Sequence, residues 1–140
     1  MDATQISLVQ DSFAKVAPIA DQAADLFYAD LFETAPEVKP LFAGSDMSAQ
    51  GTKLMKTLGV VVNGLDNLGD VVPVAEALAV RHVGYGVAAE HYDFVGASLL
   101  RTLEKGLGDG FTTEVADAWA TAYGTLAGAM KAAAYPEAAA

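Results

Sequence analysis

The sequence contains no cysteine, and that absence excludes several kinds of site. Disulfide bonds, cysteine-ligated zinc, iron–sulfur clusters and thiol nucleophiles all need a sulfur atom that this chain lacks. Histidine is almost as scarce, with two residues, His82 and His91. The carboxylates are scattered and do not stand at metal-ligand spacing, so we do not expect a metal cage made of protein side chains alone.

Basic residues are also few. The chain has 8 Lys and Arg against 18 Asp and Glu, a formal net charge of -10. Binding to a phosphate backbone depends on clustered cations that release counterions. Nucleic acid is therefore not an expected partner.

Long apolar runs are missing as well, since no stretch approaches the roughly 18 uninterrupted apolar residues of a membrane-spanning helix. The segment Met1–Gln5 lacks the basic head and apolar run of a signal peptide. From these two features we expect no membrane span and a cytoplasmic location.

What the chain has in quantity is apolar side chains, 53% of its 140 residues, with only 19% charged. This length suits one domain, which we place at residues 1–140 with a frayed tail at 131–140. The apolar surplus beyond an ordinary core could line a cofactor cavity.

Helical periodicity runs through the chain, and no segment shows the sustained alternation of a strand, so we predict an all-α fold. The first two apolar stripes end at Pro18 and Pro36. The segment Pro36–Phe42 leaves room only for a short helical turn, because Pro40 lacks a backbone donor and disfavours helical dihedrals at Lys39.

Four further helices are predicted after this turn. Ser48 is the expected N-cap of a long apolar helix that ends near residues 67–70. A shorter helix follows Pro73 and carries His82 in its last turn. A third helix is predicted from His91 to Leu107, ended by the glycines at 108–110. The last helix is capped by Thr112 or Thr113 and places Trp119 and Met130 in the core.

His82 is the strongest candidate for a functional group. It follows Leu78 by four residues, so both share one helix face and could meet a flat ligand. One imidazole is enough to hold a haem, because the porphyrin supplies the other four nitrogens. The alternative is a core or surface histidine bonded to a carbonyl.

An ordered series of short sequences decides between these interpretations. The series consists of APEVKPLF at 35–42, Gln50, Leu54, Arg81-His82, Gly86-Val87, His91-Tyr92, Leu99-Leu100, Ala118-Trp119 and Ala122-Tyr123-Gly124. In these motifs and their spacing the chain resembles the bacterial single-domain haemoglobins and the haem domain of flavohaemoglobins. The resemblance implies a globin fold around one haem b (iron protoporphyrin IX), with His82 as the only protein ligand of a five-coordinate iron.

The same resemblance implies a distal pocket on the opposite face of the haem. Gln50 would donate an amide hydrogen to bound dioxygen, and Leu54, one helical turn later, would close the pocket. Tyr28 occupies the other distal position and could donate its phenolic hydrogen. The alternatives are a solvated Gln50 in a first helical turn and a Tyr28 bonded to a backbone carbonyl.

The remaining cofactor contacts follow from the resemblance too. Phe42 would stack on the porphyrin, with an ordinary core phenylalanine as the alternative. Lys53 and Arg81 are candidates for the haem propionates, or else solvated surface charges. The other expected haem contacts are Leu78, Val87, Tyr92, Val95 and Tyr123. His91 receives no ligand role.

The chain departs from the flavohaemoglobin pattern on its last helix. In that group a glutamate completes a hydrogen-bonded set with the proximal histidine and a tyrosine, but the corresponding residue here is Ala134. Glu137 follows Pro136 in the expected tail, so we do not expect it to substitute. A strong electron donation from His82 to iron is therefore not expected.

The function implied is reversible binding of dioxygen for storage, delivery or scavenging, with carbon monoxide and nitric oxide as further ligands. One alternative is nitric oxide dioxygenation, for which a separate reductase would have to supply electrons. A haem-based gas sensor and a haem-free interaction domain are the others. The sequence leaves open whether the protein is a monomer or a homodimer.

Overall fold

The computed structural model describes residues 2–42, 44, 46–84 and 90–134, and every regular element in these ranges is helical. The six α-helices are α1 (Ala3–Val16), α2 (Ala20–Thr34), α3 (Met47–Asn63), α4 (Leu68–Gly84), α5 (His91–Leu107) and α6 (Thr113–Ala134). The predicted all-α class is confirmed. Within the described ranges, none of the helices has the length and hydropathy needed to cross a membrane.

Local signals in the sequence set most helix ends. Asp2 caps α1 by accepting a hydrogen bond from the Gln5 amide at 2.8 Å, and the Gln5 side chain accepts in return from the Asp2 amide. Pro36–Phe42 forms a short 3-10 helix, as predicted. Gly108 follows α5 with a φ of +55°, a backbone conformation that glycine adopts without strain.

The predicted start of α3 was wrong by two residues. Asp46 is the N-cap, because its Oδ1 accepts from the amides of Ser48 and Ala49 at 3.0 and 3.4 Å. A carboxylate at this position also favours the positive end of the helix dipole. The sequence contained both candidate caps, and the acidic one is used.

The predicted loop before Pro73 was also wrong. Helix α4 begins at Leu68, so Pro73 lies inside it. Because Pro73 lacks an N–H, α4 loses one backbone hydrogen bond there. The turn before α4 is tight, since a Cβ on Gly64 would collide with the side chain of Val71. Glycine at this position therefore allows Val71 of α4 to pack against the end of α3.

Helix α6 has the cap that its sequence predicts. The Thr112 hydroxyl accepts from the amide of Val115 at 3.2 Å. The helix continues through Ala134, four residues into the segment 131–140 that we expected to fray. The rest of that segment lies outside the described residues.

The core forms where α2 packs on α5 and where α6 packs on both α1 and α4. Trp119 is buried, and its indole N–H donates to the Ser12 hydroxyl at 2.8 Å, which joins α6 to α1. Asp30 joins α2 to α5 through hydrogen bonds from Arg101 of 2.7 to 3.0 Å. These cross-links hold α2, α5 and α6, the helices that carry the three candidate tyrosines Tyr28, Tyr92 and Tyr123.

Candidate functional site

His82 lies in the last turn of α4, as predicted, and its ring orientation is defined by its own helix. Its Nδ1 is 2.8 Å from the carbonyl oxygen of Leu78, one turn earlier. A carbonyl can only accept, so Nδ1 is the nitrogen that carries the hydrogen. In the neutral ring the lone pair is then on Nε2, the nitrogen that would ligate a metal.

The surroundings of His82 favour this neutral form. The ring is half-buried, and burial lowers the pKa of His82 below its usual value. The hydrogen bond to Leu78 opposes that shift, and the positive charge of Arg81 adds to it. A neutral imidazole is the form that ligates a metal.

An aromatic cluster contains two of the predicted site residues. The Tyr28 ring on α2 and the Phe42 ring at the end of the 3-10 helix are 5.5 Å apart, nearly edge to face. Phe32 packs against both, with its centroid 5.9 Å from Tyr28 and 5.4 Å from Phe42. Phe42 is half-buried, so one part of this ring faces outward from the cluster. Its contacts fit either an ordinary packing role or the wall of a pocket.

A close crossing of α2 and α3 positions the other two distal candidates. A Cβ on Gly51 would be 2.9 Å from the Cβ of Ala24, so the two backbones touch at this point. Gln50 precedes this contact and Leu54 follows it by one turn. Tyr28 lies one turn after Ala24 on α2. The crossing therefore brings the α3 segment with Gln50 and Leu54 against the α2 segment with Tyr28.

These side chains are only partly covered. Gln50, Leu54 and Tyr28 are all half-buried. Leu54 also borders a small apolar cavity of about 20 Å³, between α3 and the core, with Phe27 and Leu58 among its lining residues. Gln50 is partly exposed in the first turn of α3, so its alternative interpretation as a solvated residue stays a prediction beside the distal role.

The alternative interpretation of Tyr28 is a hydroxyl bonded to a backbone carbonyl, and the described residues do not supply that bond. Within the described part of the chain the hydroxyl makes no hydrogen bond to a backbone carbonyl. Burial raises the pKa of Tyr28 to about 12, so the phenol keeps its hydrogen at any physiological pH. It can therefore act as a hydrogen-bond donor.

A second pair of tyrosines lies between α5 and α6. The Tyr123 hydroxyl donates to the backbone carbonyl of Tyr92 at 2.5 Å. The Tyr123 ring passes directly over Gly96, where a Cβ would be 2.6 Å from the ring. Burial raises the pKa of Tyr123, so its hydroxyl remains a donor. Tyr92 itself is buried at the first turn of α5.

The other predicted contacts fall into three groups. Leu78 and Val95 are half-buried, as suits residues that line a pocket. Lys53 and Arg81 are exposed, which agrees with solvated charges and also with cations at the edge of a pocket. Val87 and Glu137 lie outside the described residues, and Ala134 is the last residue of α6.

Sequence reasoning missed three residues that shape this region. Gly51 and Gly96 allow close approaches by Ala24 and Tyr123, and each was visible only as a glycine within a helical pattern. Lys131 places its ammonium 6.0 Å from the centroid of the Tyr92 ring. Its distance from Tyr92 in the sequence left no local signal of that contact.

Comparisons with known proteins agree with this geometry. The Globin family model matches residues 25–130, which include most of α2, all of α3 to α5 and most of α6. The chain belongs to the globin family. A bacterial globin from Campylobacter jejuni superposes with a TM-score of 0.84 over 98% of this chain and 99% of that one, at 26% identity. The expected globin fold is therefore confirmed.

Two curated relatives of this globin are flavohemoproteins. That of Bordetella parapertussis is 39% identical over 103 residues, which are 72% of this chain and 26% of the relative. That of Rhodopirellula baltica is 34% identical over 124 residues, which are 87% of this chain and 30% of the relative. The globin thus spans less than a third of the length of these relatives. The resemblance to flavohaemoglobin haem domains is confirmed.

Proposed function

We propose that this globin binds a b-type haem through His82 and carries dioxygen reversibly on the opposite face. The observation that supports it most directly is the hydrogen bond from His82 Nδ1 to the Leu78 carbonyl, at 2.8 Å. That bond fixes the tautomer and the ring orientation that a haem ligand needs. The iron, when bound, supplies an open coordination position for a diatomic gas.

The predicted site residues are of the kinds that a haem site needs. Haem is a large, flat, mainly apolar ligand with two carboxylates at one edge, and it needs apolar walls, one axial nitrogen and few cations. Half-buried Leu78, Val95 and Phe42 would supply walls, and His82 the nitrogen. The exposed Arg81 would suit a propionate at the rim.

On the distal side, Tyr28 and Gln50 would orient a polar diatomic ligand. Both residues lie within a turn of the contact between Gly51 and Ala24, so each would bring a hydrogen-bond donor near the crossing of α2 and α3, and Leu54 would add an apolar surface. Because Tyr28 stays protonated, its donation would not change with physiological pH.

We favour dioxygen carriage over nitric oxide dioxygenation because of the group that accepts the hydrogen bond from His82 Nδ1. The acceptor is the neutral carbonyl of Leu78, and Ala134 stands where flavohaemoglobins have a glutamate. A neutral acceptor polarises the imidazole less than a carboxylate would, so His82 would push less electron density toward a bound ligand.

The kinship with flavohemoproteins keeps nitric oxide dioxygenation as the second candidate. In that case a reductase would have to return electrons to the globin after each turnover.

Spectra of the ferric, ferrous and carbonyl forms test this proposal. We expect a Soret band in purified, haem-reconstituted protein and a ferrous form with five-coordinate iron. We also expect a ferrous iron–histidine stretch at lower frequency than in flavohaemoglobin haem domains. The variant Ala134→Glu should raise that frequency. A high stretch in the unmodified protein would contradict the preference for carriage, and the absence of haem uptake would contradict the proposal as a whole.

A further inference from the structure

An open groove lies at the corner where α3 ends and α4 begins. Its volume is about 570 Å³, it opens to solvent, and none of its lining residues is a candidate haem contact. Val60 and Val74 form its apolar part and are 59% and 51% exposed. They are two of the four large apolar side chains that the described residues leave exposed, and here the two lie in one groove. Apolar surface that gathers at one place is typical of an interaction site, whereas a single exposed valine is not.

The same groove carries negative charge. Asp66 and Asp70 line it, and the described lining residues include no Lys, Arg or His. Neither carboxylate belongs to an ion pair within the described ranges. Asn67 Nδ2 donates to Oδ2 of Asp70 at 2.6 Å, and a carboxylate with two oxygens can accept from further donors. Asp70 also lies in the first turn of α4, where a carboxylate favours the helix dipole, but Asp66 lies outside that helix.

Hydrogen bonds hold the backbone of this corner in place. The Asn67 amide donates to the Gly64 carbonyl at 2.8 Å, and the Gln10 side chain of α1 donates to the Val62 carbonyl at 3.0 Å. Val62 and Leu65 are buried, each 2% exposed. A surface that is already ordered loses less conformational entropy when a partner binds.

We propose that this groove docks a basic segment of a partner protein. Lys and Arg side chains combine an apolar stem with a cationic head, so one such side chain matches both parts of the groove. Its stem would lie on Val60 and Val74, and its head would meet Asp66 and Asp70. A second copy of this chain does not match, because its net charge of -10 and its own acidic groove would be repelled. The inference does not depend on the haem proposal.

The test begins with a fluorescently labelled peptide in which lysine alternates with leucine, titrated with the purified full chain. Fluorescence anisotropy measures its affinity at low and at physiological ionic strength. Two matched peptides replace either leucine by serine or lysine by glutamate. We expect the lysine-leucine peptide to bind most tightly and its affinity to fall as salt is added. Equal binding of the lysine-serine peptide would indicate attraction by net charge alone and would overturn the inference.

Charge variants locate the binding. Asp66→Asn combined with Asp70→Asn should weaken binding of the lysine-leucine peptide by roughly 2- to 30-fold, the effect expected of two exposed ion pairs. Glu114→Gln combined with Asp117→Asn removes two exposed carboxylates from α6 and is the matched control, which should change the affinity little. Asp66→Asn alone leaves the first turn of α4 unchanged and keeps the test valid if Asp70→Asn destabilises that helix.

Apolar variants complete the test. Val60→Ser combined with Val74→Ser should also weaken binding, because the lysine stems and the leucines lose apolar contact. Val80→Ser, at a valine that is 59% exposed outside the groove, is the control. Amide shifts of the isotope-labelled chain should be confined to residues near 60–74. The inference is overturned if the shifts spread over the acidic surface, or if groove and control variants bind equally. A dimer in sedimentation that the groove valine substitutions abolish would assign the groove to a second copy and would also overturn it.

Discussion

Gly51 on α3 touches Ala24 on α2 so closely that a Cβ at residue 51 would lie 2.9 Å from the Ala24 Cβ. Real Cβ atoms do not approach one another to this distance, so the two helices would have to separate. Since Gln50 and Leu54 flank Gly51, and Tyr28 follows Ala24 by one turn, this contact constrains the spacing of the helices that carry the three proposed distal residues.

The first prediction follows from that contact. Gly51→Ala should lower the free energy of unfolding by about 1–3 kcal/mol, the usual cost of overpacking, despite the better helix propensity of alanine. Urea denaturation measures it. Gly124→Ala on α6 is the matched control, since no atom lies within 4 Å of a Cβ there, and it should stabilise the protein by up to about 1 kcal/mol. Equal stabilisation by both substitutions would show that the helices are not in tight contact.

A second prediction concerns acid stability. Hydrogen bonds from Arg101 hold the pKa of Asp30 below its usual value, against the opposing effect of burial. Because the pKa is lower in the folded state, the stabilisation is present above about pH 4 and is lost as the pH falls through the folded-state pKa. Asp30→Asn should cost about 1 kcal/mol at pH 7, a value kept small because the Arg101 side chain is 42% exposed.

The measurement is urea denaturation of wild type and Asp30→Asn between pH 7 and pH 3. The difference between the two proteins should shrink below pH 4. Asp25→Asn, at an exposed site on the same helix, is the control and should change stability little. A constant difference across the whole pH range would contradict the assignment of the acid sensitivity to Asp30.

A third prediction addresses the distal donors. Tyr28→Phe and Gln50→Leu should each speed dioxygen dissociation by roughly 2- to 13-fold, because one hydrogen bond contributes about 0.5–1.5 kcal/mol. Carbon monoxide is less polar, so its dissociation should change less. Stopped-flow dissociation rates of both gases provide the comparison. Dioxygen rates that stay at the wild-type value in both variants would remove the distal role of these residues.

The sequence predicted those features that depend on neighbouring residues. Pro18 and Pro36 interrupt the helices where expected, and Thr112 caps α6. His82 falls in the last turn of its helix, as predicted. Its bond to the Leu78 carbonyl is the contact that the alternative interpretation of this histidine expected. The resemblance to a known family added the long-range arrangement, and the comparisons confirm its fold.

Features that depend on distant contacts were not predictable in this way. The start of α4 is set partly by the meeting of Gly64 with Val71, and the helix crossing by the meeting of Gly51 with Ala24. A lone glycine in a helical pattern does not reveal its partner. Lys131 likewise looked like an ordinary surface charge until α6 was seen to pass Tyr92.

The central claim is that His82 holds the haem. Its most direct test is a haem titration of the wild-type protein, His82→Ala and His91→Ala, followed at the Soret band with ferrous spectra of each product. His91 is the matched control, a half-buried histidine at the start of α5 to which we give no ligand role. The account predicts that His82→Ala loses stable haem, or at least the five-coordinate ferrous spectrum, while His91→Ala resembles wild type. Normal haem binding by His82→Ala together with its loss in His91→Ala would contradict it.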